Sequence, residues 1–545
     1  MLDSQASLGG TWAQERLYPR VKSNNLYGRF EFPDFPMDQS YGVKQWEHVP
    51  GPIVHEYLTD YARAFGVYER IRLNTWVESV EEITDGDDST WMLQLKKQDL
   101  TSALSANKLI IACGLTSHPN MPVIAGSSHF NAPLFHSVDL AKASPGIQAS
   151  KPANVVVLGA SKSAWDAAYV FASDPDTTTT AHIIIRDSGN GPTWFAKPYA
   201  TPLHTWAESL IMQRVVSWFS PCVFGAYDGY GGVRNFLQGT RPGRWLVNNF
   251  VATLRQDMID GMGFVKDAET AKLKPETDLF FVGTQLAIDN YEDDFLELVR
   301  RGRIKVHRAD VESLVDHGVR LSNGEIIPTD AMICCTGWQY RPPIKVIEPL
   351  TDKDMGLPYH DKVEDPLATA ANEEIMARFP ILQNQPKQGK LASSNLDAPA
   401  EGVSPPPKAN TPMRLYKGMV PPAFVAKRNL GYIGYIAAIT GPNLWHLQCL
   451  WLAAFLGGEL HVQASQDEVE YETVLHSQWG KWRAPLGQGL WHIDLVLDQL
   501  PYCDMILDGL GLNRWRKGWV REWFESYGQS DYRNIIGEWM AKVRM

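Results

Sequence analysis

The sequence predicts an α/β fold on three observations: short apolar runs of strand length, helical periodicity between them, and a strand–turn–helix junction of small residues near position 160. The runs 109–112, 155–158, 183–185, 280–282 and 331–334 are bounded by glycine or charge and read as buried parallel strands. Residues 55–65 repeat apolar side chains at helical spacing. Residues 76–79 and 91–95 read as strands of a small antiparallel excursion around Asp85-Gly86-Asp87.

The junction is Gly159-Ala160-Ser161-Lys162-Ser163-Ala164, after Val155-Val156-Val157-Leu158 and before a helical stretch from Trp165. Glycine permits a sharp turn, and the first N–H groups of the following helix face an anion, so the junction reads as a dinucleotide-phosphate cradle. Ser161 stands where the middle glycine of G-x-G-x-x-G/A is usual, and taken alone the segment is equally an ordinary βα turn. The next strand, 181–185, supplies context, since it ends in Arg186, a cation suited to a 2′-phosphate. That favours NADP over NAD; the bland alternative is a solvent-facing pair of Arg186 with Asp187.

A second dinucleotide signal stands at the start. Leu2-Asp3 reads as a strand end whose acid bonds a ribose, and Gly9-Gly10-Thr11-Trp12 follows as a glycine turn. Only two residues precede Asp3, whereas the strand, glycine loop and helix before such an acid occupy about 30 residues. A phosphate loop of that kind is therefore expected to be missing here.

Composition sets the outer limits. With 545 residues, 44% hydrophobic and 21% charged, the chain suits more than one globular domain, and its formal charge of −11 argues against nucleic acid as a main partner. Nineteen tryptophans exceed what cores usually need, so some are expected around a pocket for an apolar or planar ligand. None of the six cysteines forms a C-x-x-C pair, which points away from zinc ribbons and dithiol redox centres, and no metal site is expected. Cys113, Cys334 and Cys335 lie in apolar runs and read as small hydrophobes. The opening residues lack the order of a signal peptide, and the apolar stretch 444–456 contains His446 and Gln448 and falls short of a span of about 20 residues. A soluble, cytoplasmic protein is the expectation.

Two segments interrupt the α/β pattern. Residues 191–278 mix proline, glycine and aromatics and read as a long insertion that closes over a pocket. Residues 383–412, with Pro405-Pro406-Pro407, read as a surface loop.

The order of motifs resembles the class B flavoprotein monooxygenases, and within them the flavin-containing monooxygenase-like enzymes. Gly9-Gly10-Thr11-Trp12 is similar to the family's G-G-x-W, Ser23-Asn24-Asn25 before Phe32-Pro33-Asp34-Phe35-Pro36 to its asparagine segment, and Ala112-Cys113-Gly114 to its first A-T-G. The fingerprint spacing from Phe130 to His136 follows, with Ala132 in place of its glycine and Leu140 in place of its terminal aromatic. Then come the Gly159 turn, Cys335-Thr336-Gly337-Trp338 resembling the second A-T-G-Y, and Leu430-Gly431-Tyr432-Ile433-Gly434 before an apolar helix.

The resemblance implies two dinucleotide-binding, Rossmann-like domains, with the NADPH domain inserted into a discontinuous FAD domain. Residues 1–150 would begin the FAD domain, 151–332 would form the NADPH domain with its insertion at about 191–278, and 333–545 would return to the FAD domain and a helical C-terminal region. It implies FAD, NADP(H) and O2, with one oxygen atom passing to a small organic molecule and the other leaving as water. Asn24 would be the catalytic amide beside the flavin, or else a turn residue next to Asn25. Asp3 would accept from the FAD ribose, Gly9, Gly10 and Gly114 would let the backbone approach FAD, and Trp12 would pack near it or in the core. Gly159, Ser161, Ser163, Ala164 and Arg186 would hold NADP phosphates. Thr336 and Gly337 would line the FAD side or merely end a strand, and His136 would be a domain linker or a core histidine.

Three readings stay open: a monooxygenase tailoring a natural product; a Baeyer–Villiger enzyme, against which Leu140 argues mildly; and a non-catalytic scaffold without flavin, because of the expected gap before Asp3. The oligomeric state has no sequence signal.

Overall fold

Five parallel strands in the order Ile304–Arg308, Thr180–Ile185, Asn154–Leu158, Ala331–Cys334 and Leu134–His136 form the main sheet. The computed structural model describes residues 1–86, 88–363, 365–386, 409–485 and 488–544. Val155 to Leu158 at the centre of the sheet are fully buried, as a β-branched run covered on both faces should be. The helix Lys162–Ala172 follows directly, and its Trp165 is stacked between Phe195 and Phe295 at centroid distances of 3.8 and 4.1 Å.

The antiparallel excursion is a three-stranded meander of Trp76–Asp85, Asp88–Lys97 and Leu100–Ala106. Its expected turn includes Asp87, which lies outside the described residues. The helix expected over 55–65 runs from Gly51 to Ala64, with Pro52 in its first turn.

Two expected strands differ. Leu109–Ile111 is parallel, but it pairs with Leu430–Tyr432 instead of joining the main sheet, and Ile110 is 50% exposed, so only one face is covered. Residues 280–282 form no strand. Leu279–Phe281 is a single 3-10 turn, with Asp278 accepting from the Phe280 N–H at 3.0 Å, and its phenylalanines enter the core from that turn. A short apolar run specifies burial but not strand geometry.

The expected insertion is mainly helical: Ala207–Ile211, Arg214–Ser217, Gly231–Gly239 and Arg241–Met262. It shares the largest core with the helices Gly441–Gly457, Gln466–Arg483 and Gln499–Leu510. Among the described residues no helix is long and apolar enough to cross a membrane. Most of the expected surface loop, residues 387–408, lies outside the described residues.

Arg214 joins the insertion to the C-terminal region. Its guanidinium donates to Asp504 at 2.5 and 3.1 Å, to Glu522 at 2.6 Å and to the Tyr527 hydroxyl at 3.3 Å, all of these side chains being buried. Removing one member of such a pair leaves an uncompensated buried charge. Asp504→Ala is expected to destabilise the protein by about 3–5 kcal/mol, read from the denaturant midpoint, while Lys272→Ala, which breaks the exposed pair with Glu269, leaves that midpoint nearly unchanged.

Candidate functional site

At the junction, Gly159 has φ of 151°, and a Cβ there would lie 2.5 Å from the Cys335 carbonyl oxygen. Glycine is needed for the turn to pass under the end of Ala331–Cys334. Ser161 is the extended N-cap, and the first intrahelical bond is Ala164 N–H to Ser161 C=O at 2.9 Å. The Lys162 and Ser163 N–H groups precede that bond, so they are available to an anion at the positive end of the helix. Arg186 is half-buried at the carboxyl end of Thr180–Ile185, and its carbonyl accepts from the Gly189 N–H at 3.2 Å. These residues fit a dinucleotide phosphate.

A cluster missed in the sequence stands beside the turn. Lys162 Nζ is ion-paired with Asp166 at 2.5 Å, and Asp166 also accepts from the Tyr18 and Tyr291 hydroxyls, each at 2.9 Å. Burial and the nearby Asp166 raise both tyrosine pKa values well above the ordinary phenol range, so both stay donors. Only the i,i+4 spacing of Lys162 and Asp166 was legible locally, because Tyr18 and Tyr291 lie more than a hundred residues away.

The second cluster gathers at other strand ends. Leu2 bridges Arg72 in parallel, and the half-buried Asp3 carboxylate accepts from the Gln5 N–H at 2.9 Å; burial raises its pKa. Gly9 and Gly10 open the turn Gly10–Trp12. Trp12 is half-buried and meets Phe30 edge-on at 5.9 Å, within a core that includes Val54 and Tyr57. Gly114 has φ of 69°, and its Cα lies 3.8 Å from where a Cβ on Gly434 would stand. A Cβ on Gly10, Gly114 or Gly337 would meet nothing within 4 Å, so these turns present bare backbone to open space. Bare backbone beside a carboxylate at strand ends fits a second dinucleotide.

The turns of the second cluster are bonded to one another and, through residues 335–338, meet the first at a seam, since Cys335 packs against Gly159. Thr11 and Thr116 share a hydroxyl–hydroxyl bond of 2.8 Å, and Arg16 donates to the Thr116 carbonyl at 3.2 Å while lying 5.3 Å above the Trp338 ring. The Thr336 hydroxyl donates to the Asn120 carbonyl at 2.6 Å, and the Asn120 N–H donates to the Gly337 carbonyl at 3.0 Å. His136 Nδ1 accepts from the Val138 N–H at 3.1 Å, which assigns the ring proton to Nε2, the donor to the Gly337 carbonyl at 2.9 Å. Burial lowers the His136 pKa, keeping it a neutral brace between Leu134–His136 and the Gly337 turn.

Asn24 is exposed on the strand Lys22–Leu26. Its neighbours are held by residues the sequence did not single out. Asn25 donates its amide to Glu208 and, at 2.6 Å, to the Ile439 carbonyl, and the Leu26 N–H donates to Glu208 at 3.0 Å. Asn290 donates to the Lys22 and Ser23 carbonyls at 3.2 and 3.1 Å. Burial pushes the Glu208 pKa up to about 7, against the opposing pull of its donors and the nearby Arg29 charge.

The helix that carries Glu208 is also a partition. Leu210 and Ile211 line an apolar cavity of about 150 Å³ together with Phe219, Phe250, Leu254 and Met258. Its aromatic lining is phenylalanine and tyrosine; of the tryptophans expected around a pocket, Trp46 lines a separate cavity of about 700 Å³, while Trp91, Trp165, Trp451 and Trp479 are fully buried core residues.

The flavin-binding monooxygenase-like family model matches residues 9–213. An FAD-dependent monooxygenase of Pyrenophora dematioidea is 32% identical over 542 residues, covering 95% of this chain and 93% of the relative. FAD-dependent monooxygenase DEP4 of Alternaria brassicicola is 30% identical over 549 residues, covering 99% and 90%. Among solved structures, ε-caprolactone-bound cyclohexanone monooxygenase aligns with a TM-score of 0.56 at 14% identity, over 99% of this chain and 92% of that one. Cyclohexanone monooxygenase from Rhodococcus sp. Phi1 bound to NADP+ aligns with a TM-score of 0.54 at the same identity and coverage. The fold is thus that of a two-dinucleotide-domain α/β protein.

Because Glu208 binds its proton more tightly in the folded chain than in the unfolded one, where its pKa is near 4.5, stability is expected to fall as pH rises from about 4.5 to about 7. Denaturation followed across this range should show a slope that is less negative in Glu208→Gln than in the parent, whatever the variant's absolute stability, the remainder coming from other buried groups such as Asp504.

Proposed function

The chain belongs to the flavin-binding monooxygenase-like family, and from that premise we propose that it uses NADPH, FAD and O2 to place one oxygen atom on a small, largely apolar organic molecule. The observation that carries this reading is the seam. Hydrogen bonds from Asn120 and His136 hold the Gly337 turn, and Cys335 of the same segment packs under Gly159, which keeps the two strand-end clusters side by side, as electron transfer between two bound dinucleotides requires. Bound FAD would supply hydride acceptance and oxygen activation.

The chain's own groups supply position and environment. The Lys162 and Ser163 N–H groups hold the NADP pyrophosphate, and Arg186 takes the 2′-phosphate. Asp3 accepts from a ribose of FAD, and the bare backbone of Gly10, Gly114 and Gly337 lets the FAD come close. Asn24 donates its amide toward the reacting oxygen, on a strand kept in place by Asn25, Glu208 and Asn290. His136 remains neutral and moves no proton. The apolar cavity behind Glu208 takes the hydrocarbon part of the substrate and excludes water from it.

Anaerobic NADPH should bleach the visible spectrum of the chain loaded with FAD; failure to bind flavin in the presence of excess FAD overturns the reading. Gly159→Val should slow bleaching at low NADPH by about tenfold or more, roughly 1.4 kcal/mol, without loss of flavin, since the added side chain collides with Cys335 and shifts the turn. Asn24→Ala should bleach normally yet lose oxygenated product relative to NADPH consumed, separating its role from cofactor binding.

A further inference from the structure

The apolar cavity behind Glu208 has a cation in its wall that the fold does not fully use. Arg483 ends the helix Gln466–Arg483, is 4% exposed, and lines the cavity with Leu210, Phe219, Phe250 and Leu254. Its Nε donates to the buried Asp498 carboxylate at 3.1 Å, and one terminal amino group donates to the Phe280 carbonyl at 2.6 Å. Among the described residues the other terminal amino group has no acceptor. The ion pair accounts for a charge being tolerated at this depth, but it leaves guanidinium N–H groups against hydrocarbon, and a buried donor is costly to leave unpaired.

A second polar group in the same wall is unmatched. The Ser220 hydroxyl is buried without a partner, and Ser220 lines the cavity. Its neighbour Pro221 accepts from the Trp479 indole N–H at 2.5 Å, one turn before Arg483 on the same helix, so the segment of Ser220 is held against the helix that carries the guanidinium. The remaining charged groups of the wall are satisfied and stand nearer the surface. Lys197, its side chain 44% exposed, is ion-paired with Asp289 at 2.5 Å, and Asp257 accepts from the Thr201 N–H at 3.2 Å. The cavity therefore opens beside Lys197 and Thr201 and is closed at Arg483. A volume of about 150 Å³ suits a group of roughly benzene size, and a water among such apolar walls would find too few partners to stay.

We propose that Arg483 is a specificity-determining residue whose unused amino group donates to one uncharged carbonyl oxygen on the hydrocarbon group that fills this cavity. An uncharged acceptor is specified because Asp498 already balances the guanidinium, and a carboxylate would bring a second, unbalanced charge among the phenylalanines. The helix of Glu208 stands between the cavity and the strand of Asn24, so Arg483 holds the molecule by an atom remote from the oxygenation site and thereby sets which part of it is presented there. That positioning role rests on the monooxygenase reading; recognition of the carbonyl in the cavity does not.

The test is an NMR titration of the full chain, with and without FAD, using acetophenone, ethylbenzene and benzoate as ligands. Acetophenone and ethylbenzene fill nearly the same space and differ by the carbonyl oxygen. Acetophenone is expected to bind about tenfold or more tighter, as one hydrogen bond to a charged donor should give. The preference should vanish in Arg483→Met/Asp498→Leu, which removes both charges and strands neither, while ethylbenzene still binds. Leu254→Trp, which fills the cavity, should abolish binding of both. Equal affinity for the two ligands in the parent chain overturns the proposal, and so does binding of neither, a preference that survives in the double variant, or benzoate bound more tightly than acetophenone. The parent-chain comparison and Leu254→Trp decide the matter even where the double variant does not fold. Flavin reduction by NADPH is read separately, so failure of the monooxygenase reading and failure of this assignment are told apart.

Discussion

The buried guanidinium of Arg214 is the constraint on which the arrangement of the site depends. It is bonded to Asp504 and Glu522 with all three side chains buried, and its contribution is geometric more than energetic, since a well-packed apolar substitute often serves stability as well. What it fixes is where the insertion meets the C-terminal region. From Arg214 the constraint passes to the Tyr527 hydroxyl, whose residue's carbonyl accepts from Arg29, and Arg29 also donates to Ser209 beside Glu208. Glu208 then holds Asn25 and Leu26, and with them the strand of Asn24.

A second dependence runs across the seam. Cys335-Thr336-Gly337-Trp338 touches both clusters: Cys335 packs under Gly159, while Gly337 accepts from His136 and Asn120. A neutral histidine is suited to this position, because a charge there would be poorly solvated and would bias the contact with pH. Burial lowers the His136 pKa and raises that of Glu208, so in both supports it favours the neutral form.

The sequence was informative where chemistry is local. The Gly159 turn is a strand, a glycine and a helix N-terminus in immediate succession, and the structure has each in place. Period located the first two strands of the meander and the helix over 55–64, but not the third strand Leu100–Ala106 or the helix start at Gly51. The run at 280–282 misled because apolar content marks burial without distinguishing a turn from a strand, and tertiary packing decided it. The strand 109–111 found a partner more than three hundred residues away, which no local pattern encodes. The same holds for Glu208, Arg214, Tyr18 and Tyr291, whose roles exist only through contacts with distant segments. Tryptophan count pointed to a pocket, and Trp46 does line one, but many of the tryptophans are core residues or lie exposed.

The central claim is that two dinucleotides face each other across the seam at Gly337. A crystal structure of the chain with FAD and NADP+ measures this directly. The account predicts the NADP pyrophosphate on the Lys162 and Ser163 N–H groups, and the FAD against Gly10, Gly114 and Gly337, within transfer distance of the nicotinamide. A nicotinamide nucleotide bound away from the Gly159 turn, or FAD absent from the backbone of Gly10 and Gly114, would contradict it.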